Sequence, residues 1–241
     1  MFTEHRRRWL GSGLSACCLL LVSSAARADF ASECARLRHQ ISVLEAPLQY
    51  QISQPYDIAT LDSMAPPPVS EHARQRNHVM GITRLESNSL FQLFLRSLEQ
   101  GGNSCVEVQV TLNLRIPPAQ VYLARELQPG TCPYQAVLAH ELQHVDIYRQ
   151  QLPRVAQRMR EALQTRFGSK PLYYPSGSAQ AALQQELQQV WNPLLQAEMN
   201  KVEAAQSRLD SAEEYKRLSQ SCKGEVQRVL DKALQRGKQR E

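Results

Sequence analysis

The run His140-Glu141-Leu142-Gln143-His144 has the residue types and spacing of a metal-dependent hydrolase. On a helix, residues four apart share a face, so His140 and His144 can grip one ion with two imidazoles. Glu141 follows the first imidazole and can reach water at an open metal position, where a carboxylate serves as general base. Zinc is the ion this donor set implies, and a catalytic zinc takes three protein ligands. No histidine follows His144, so the third ligand is expected to be a carboxylate. The candidates are Glu161, Glu186, Glu198, Asp210, Glu213 and Glu214, with His72 and His78 as imidazole alternatives that read more simply as loop residues. Glu214 is preferred, because it falls one turn into a new helix and next to Tyr215. Glu198 is its rival, since it shares an apolar stripe with Leu194 and Val202. Asp210 and Glu213 have the spacing of a capping box and are assigned that structural job. Tyr148, one turn past His144, and Tyr215 are candidates to stabilise an oxyanion.

The elements around the motif follow from periodicity and breakers. The motif helix is expected to start near Pro133, a proline tolerated in a first turn, and Pro153 to kink or divide it on the way to Phe167. Ahead of it, Cys105 to Ile116 alternates apolar and polar residues and is the clearest strand in the chain. Leu48 to Ser53, His78 to Glu86 and Val121 to Ala124 read as further strands, and Ile58 to Met64 as a short helix. Asn88 to Leu98 is apolar-rich and fits either a helix or a strand. Residues 29–46 read as a helix ended by Pro47, with Cys34, Leu37, Ile41 and Leu44 on one stripe. Pro66-Pro67-Pro68 and Gly168 to Gly177 are loops. From about Ser178 a long helical region begins, bent at Pro193, and a new helix runs from about Ser211 to Leu234. The fold class is therefore α+β: a small, mostly antiparallel sheet packed on the motif helix, then a helical C-terminal half, residues 178–241.

Residues 1–28 carry a charged start (His5 to Arg8), a short apolar run (Leu14 to Val22) and the cleavage pattern Ala26-Arg27-Ala28. This is a secretory signal, with one domain expected over residues 29–241. The apolar run is too short for a permanent membrane span. Residues 29–241 hold 24 of the 28 basic and 22 of the 23 acidic residues, a net of +2. That balance gives no footprint for nucleic acid. Of six cysteines, Cys34, Cys105, Cys132 and Cys222 lie outside the signal. An even count in an exported chain implies disulfides, with Cys105–Cys132 and Cys34–Cys222 the preferred pairs.

From Tyr50 to Cys222 the order of features resembles uncharacterised bacterial families described as secreted zinc-dependent proteases of unknown function. The shared features are a Gly81-Ile82-Thr83 strand, the strand opening at Cys105, Cys132 ahead of His140-Glu141-x-x-His144, and a late Leu209-Asp210 segment. The motif departs from the metzincin pattern, which needs glycine and histidine where this chain has Ile147 and Gln150. The resemblance implies an exported, zincin-like metallopeptidase acting on peptide or protein substrates in the cell envelope. Two further readings stand beside it. One is a non-catalytic envelope protein binding a partner through its C-terminal helices. The other is a zinc-dependent cell-wall amidase.

Overall fold

The computed structural model describes residues 29–65, 78–86, 88–115, 117–168 and 170–238. The signal segment, the triple proline and His72 lie outside the described residues. The fold is α+β with a helical C-terminal half, as the patterning implies, but the strands form two small sheets instead of one.

The first sheet contains β1 (Gln40–Glu45), β4 (Asn88–Gln100), β5 (Asn103–Arg115) and β7 (Leu172–Pro175). β5 is its centre, antiparallel to β4 along the whole hairpin and parallel to β1, with β7 on the stretch from Asn103 to Val106. The alternation read in β5 has its expected effect: Val106, Val108, Val110, Leu112 and Leu114 are all buried. The second sheet has the order β2 (Tyr50–Ser53), β6 (Ala119–Leu123) and β3 (Gly81–Arg84), with β2 parallel and β3 antiparallel to β6. α1 (Ile58–Met64) lies between β2 and β3 in the chain and buries Ile58 and Leu61.

α2 (Cys132–Phe167) is the long motif helix, lying against β1, β3 and β6. Pro153 does not divide it. The proline faces solvent, so the hydrogen bond it removes falls on the hydrated side, away from the packed stripe. After β7 come α3 (Ala179–Glu186), a π-helical turn at Leu187–Trp191 and α4 (Asn192–Leu209), which opens on Pro193. α4 runs antiparallel to α2: Gln206 meets His144, Glu203 meets Tyr148, and Glu198 meets Arg158. α5 (Ala212–Ser219) and α6 (Ser221–Lys238) follow. The single helix expected over Ser211 to Leu234 is interrupted at Cys222, Lys223 and Gly224, where φ is 58°, 56° and 78°.

Three other expectations are corrected. The stretch Gly168 to Gly177, expected as a loop, contains β7. Residues 29–36 are helical, but 40–45 form β1. Ile41 and Val43 are β-branched, and pairing with β5 gives them an apolar face that a lone helix end would not. The disulfides are Cys34–Cys105 and Cys132–Cys222, the opposite assortment from the preferred one. The parallel pairing of β1 with β5 is the reason. It sets Gln40 opposite Gln109, which brings Cys34, just upstream of β1, beside Cys105 near the start of β5, with Cα atoms 5.9 Å apart. Cys132, in the first turn of α2, is then left for Cys222 at the head of α6. No described helix is long and apolar enough to cross a membrane.

Candidate metal centre

The apolar stripe of α2 changes character within one turn. Val137, Val145 and Tyr148 continue it, but His140, Glu141 and His144 are buried with them. Three polar side chains inside a core need partners, because an unpaired buried polar group costs roughly 1–3 kcal/mol. Those partners come from α4, α5, β3 and the turn between the two helices.

The turn supplies Asp210. Its Oδ1 lies 3.2 Å from His140 Nε2 and 3.1 Å from His144 Nε2, and the two Nε2 atoms are 3.3 Å apart. These three residues are the cluster able to offer donors to one ion. The opposite nitrogens face different partners. His140 Nδ1 donates to Glu214 Oε1 (3.1 Å), and His144 Nδ1 donates to Gln206 Oε1 (2.6 Å). Gln206 also returns a hydrogen bond from Nε2 to the carbonyl of His144 (3.1 Å). With Nδ1 donating on both rings, a neutral imidazole presents only its Nε2 lone pair on the other side. With both rings neutral, two nitrogen lone pairs and a carboxylate oxygen thus converge on one point. Ligands held tetrahedrally at about 2.0–2.1 Å from an ion are about 3.3 Å apart, which is the spacing found here. The donor set therefore fits a metal ion.

Charge supports that fit. Asp210, Glu214 and Glu141 surround the two imidazoles, and Arg217 pairs with Glu214 from outside the cluster. Burial pushes the His140 imidazole down, but the bond to Asp210, the charge of Glu141 and the bond to Glu214 outweigh it and raise its pKa. His144 is raised likewise, burial being outweighed by Asp210 and by the charge of Glu141. Burial pushes Asp210 up as well, yet its hydrogen bonds with both imidazoles hold it far below the carboxylate range. Glu214 is held down at about 2, chiefly by Arg217, against burial and with help from His140.

Glu141 lies to one side of the cluster. Its Oε2 accepts from Thr83 Oγ1 (2.8 Å) on β3. Gly81, on the same strand, leaves the space for it: a Cβ there would sit 2.6 Å from Glu141 Oε1. Burial raises the Glu141 carboxyl, and the nearby imidazoles only partly oppose this. The ring of Tyr215 lies 6.4 Å from that of His140. Burial first, then the charges of Asp210, Glu141 and Asp62, push its phenol up, so it keeps its proton.

The structure brings His140, His144, Glu141, Glu214, Asp210 and Tyr215 together and leaves the other candidates elsewhere. Glu198 is held by Arg158 (2.5 Å) and by Lys201. Glu186 takes Arg166 and the indole of Trp191. Glu161 and Glu213 are exposed. His78 Nδ1 pairs with Asp62 (2.5 Å), and the Tyr148 hydroxyl turns to Glu203 (3.4 Å). Glu214, the preferred third ligand, meets the far nitrogen of His140 and not the point where the donors converge. The spacing predicts Asp210 as a helix cap, but the cap is Ser211, whose hydroxyl accepts from Glu214 N (3.2 Å). The N-cap thus falls one residue later than that spacing predicts. That displacement frees Asp210 for the histidines.

The fold and site thus define an α+β chain with a His-His-Asp donor cluster and a buried glutamate beside it. No protein-family model, curated protein or solved structure matches it.

Proposed function

We propose that this chain is an exported zinc metallopeptidase that hydrolyses peptide bonds in the cell envelope. The observation that carries the reading is the convergence of His140 Nε2, His144 Nε2 and Asp210 Oδ1 at 3.1–3.3 Å, beside a buried glutamate. His140, His144 and Asp210 are the residues that would hold the ion, with Glu214 and Gln206 orienting the two rings from behind. When bound there, zinc would supply a Lewis acid for a carbonyl oxygen and lower the pKa of a water.

The chain's own groups then have assigned work. Thr83 holds Glu141 Oε2, which leaves Oε1 to take the proton from the attacking water. As the new bond forms between water oxygen and carbonyl carbon, charge collects on the carbonyl oxygen. The protonated phenol of Tyr215 is the nearby donor suited to it. The bond from carbon to the leaving nitrogen breaks as Glu141 Oε1 returns its proton to that nitrogen. Two disulfides support an oxidising compartment, as does the cleavage pattern before Asp29.

Glu141→Gln tests the mechanism because it keeps shape and hydrogen bonding while removing the basic carboxylate. Turnover of an unfolded protein substrate should fall by about 10²–10⁴-fold, the usual worth of acid–base catalysis, with zinc content unchanged. Turnover that survives the substitution would overturn the hydrolytic role of Glu141.

A further inference from the structure

β4 is the longest open strand edge among the described residues. One side of it pairs with β5 from Asn88 to Gln100, and no described strand pairs with the other. An edge of this kind is a template for another chain, and proteins usually blunt it with proline, lysine, bulges or short length. β4 is thirteen residues long and has no proline and no lysine, with Arg96 and Glu99 its only charges. The edge strands β1, β2 and β3 are six, four and four residues long. The outward face of β4 also carries Leu90 and Phe94, which are 58% and 61% exposed.

We propose that β4 pairs antiparallel with β4 of a second copy of this chain, about a two-fold axis through Phe94. The sequence of the strand is self-complementary in that register. Full overlap of the thirteen residues puts the axis on the middle residue, Phe94. On the outer face Phe94 meets its own copy, Leu90 meets Leu98, and Gln92 meets Arg96. On the inner face Leu93 meets Leu95, Phe91 meets Ser97, and Ser89 meets Glu99. No like charges are opposed, and the exposed Leu90 and Phe94 each gain an apolar cross-strand partner. A strand of this length is about 44 Å long and a sheet about 10 Å thick, so pairing covers on the order of 900 Å² in total. That is at the low end for a specific interface, where dimers are weak. The ladder adds on the order of ten main-chain hydrogen bonds, as many as a whole interface normally has. The result is one continuous sheet running β1-β5-β4 into its symmetry copy, with a metal centre on each half.

Sedimentation of the purified chain tests this. It should show a dimer at about 100 μM that dissociates toward monomer near 1 μM, the weak range expected for so small an interface. Phe94→Lys sets two ammonium groups against each other on the axis and should give monomer at every concentration, with the parent's thermal melt at about 1 μM, where both are monomeric, because the side chain is exposed. Leu44→Lys, on the same sheet face but on β1, should leave the dimer intact. Phe94→Cys should cross-link to its copy under mild oxidation, and Leu90→Cys alone should not. A parent that stays monomeric at 100 μM overturns the proposal, and so does a dimer that survives Phe94→Lys. Cross-linking through Leu90→Cys but not Phe94→Cys overturns the register.

Discussion

The two halves of α2 present one continuous buried stripe and use it for different ends. From Leu152 to Phe167 the stripe is Leu152, Val155, Ala156, Met159, Leu163 and Phe167, packed into the core. From Val137 to Tyr148 the same helical spacing buries His140, Glu141 and His144. The C-terminal half has the composition that burial alone selects. The N-terminal half buries groups that are costly to desolvate, and each is met by a partner from another element. Gly81 and Thr83 serve Glu141, while Gln206, Asp210 and Glu214 serve the histidines. Convergence of so many separate elements on three side chains has no structural return that leucine would not give. The difference is that the first half is organised around buried polar groups, two of which, His140 and His144, could hold a metal ion with Asp210.

Substitutions in the two halves should separate cleanly. The largest effect is expected from His144→Ala, which removes a ligand and with it tight zinc binding. With free zinc at about a thousandfold over Kd, the parent gains about 4 kcal/mol of stability relative to chelated protein. His144→Ala should show no such difference in paired thermal melts, and a gain as large as the parent's would place the ion elsewhere. Next is Met159→Ala in the other half. A fully buried methionine cut to alanine costs about 2–5 kcal/mol, so the melt should drop with and without zinc alike, and zinc content should stay at the parent's level. Loss of zinc in that variant would mean the halves are coupled. The smallest effect is expected from Gln206→Ala. Removing a partner that orients a metal-binding histidine costs about 10–100-fold in metal affinity, read by competition with a chelator. No change in affinity would reduce Gln206 to a packing residue.

How much of this was legible in the chain differs between the two halves of the problem. The motif spans a single helical turn, so local spacing alone paired His140 with His144. β5 was equally readable, since a half-buried strand writes its alternation into consecutive residues. What escaped were features that depend on distant segments. The helical pattern over residues 29–46 hides β1, whose parallel partner lies about seventy residues further on, and the disulfide pairing depends on that same partner. The third donor is hidden by a one-residue displacement of the helix cap. Asp210-x-x-Glu213 and Ser211-x-x-Glu214 have the same spacing, and aspartate and serine cap a helix about equally well, so the local sequence does not choose between them. Gln206 left a fainter signal. It extends the stripe of Glu198 and Val202 by one further turn, and a buried amide on an apolar stripe asks for a partner. Gly81 gave no such clue, since its role is the absence of a Cβ beneath a carboxylate from another element.

The central claim is that His140, His144 and Asp210 hold one metal ion while Glu214 stands behind His140. The most direct measurement is the metal content of purified protein, taken together with the Asp210→Asn and Glu214→Gln variants. The account predicts close to one zinc per chain in the parent, loss of it in Asp210→Asn, and retention in Glu214→Gln with affinity lowered by about 10–100-fold. A parent that takes up no metal would contradict the claim. Zinc kept by Asp210→Asn and lost by Glu214→Gln would instead make Glu214 the ligand and return Asp210 to the role of a cap.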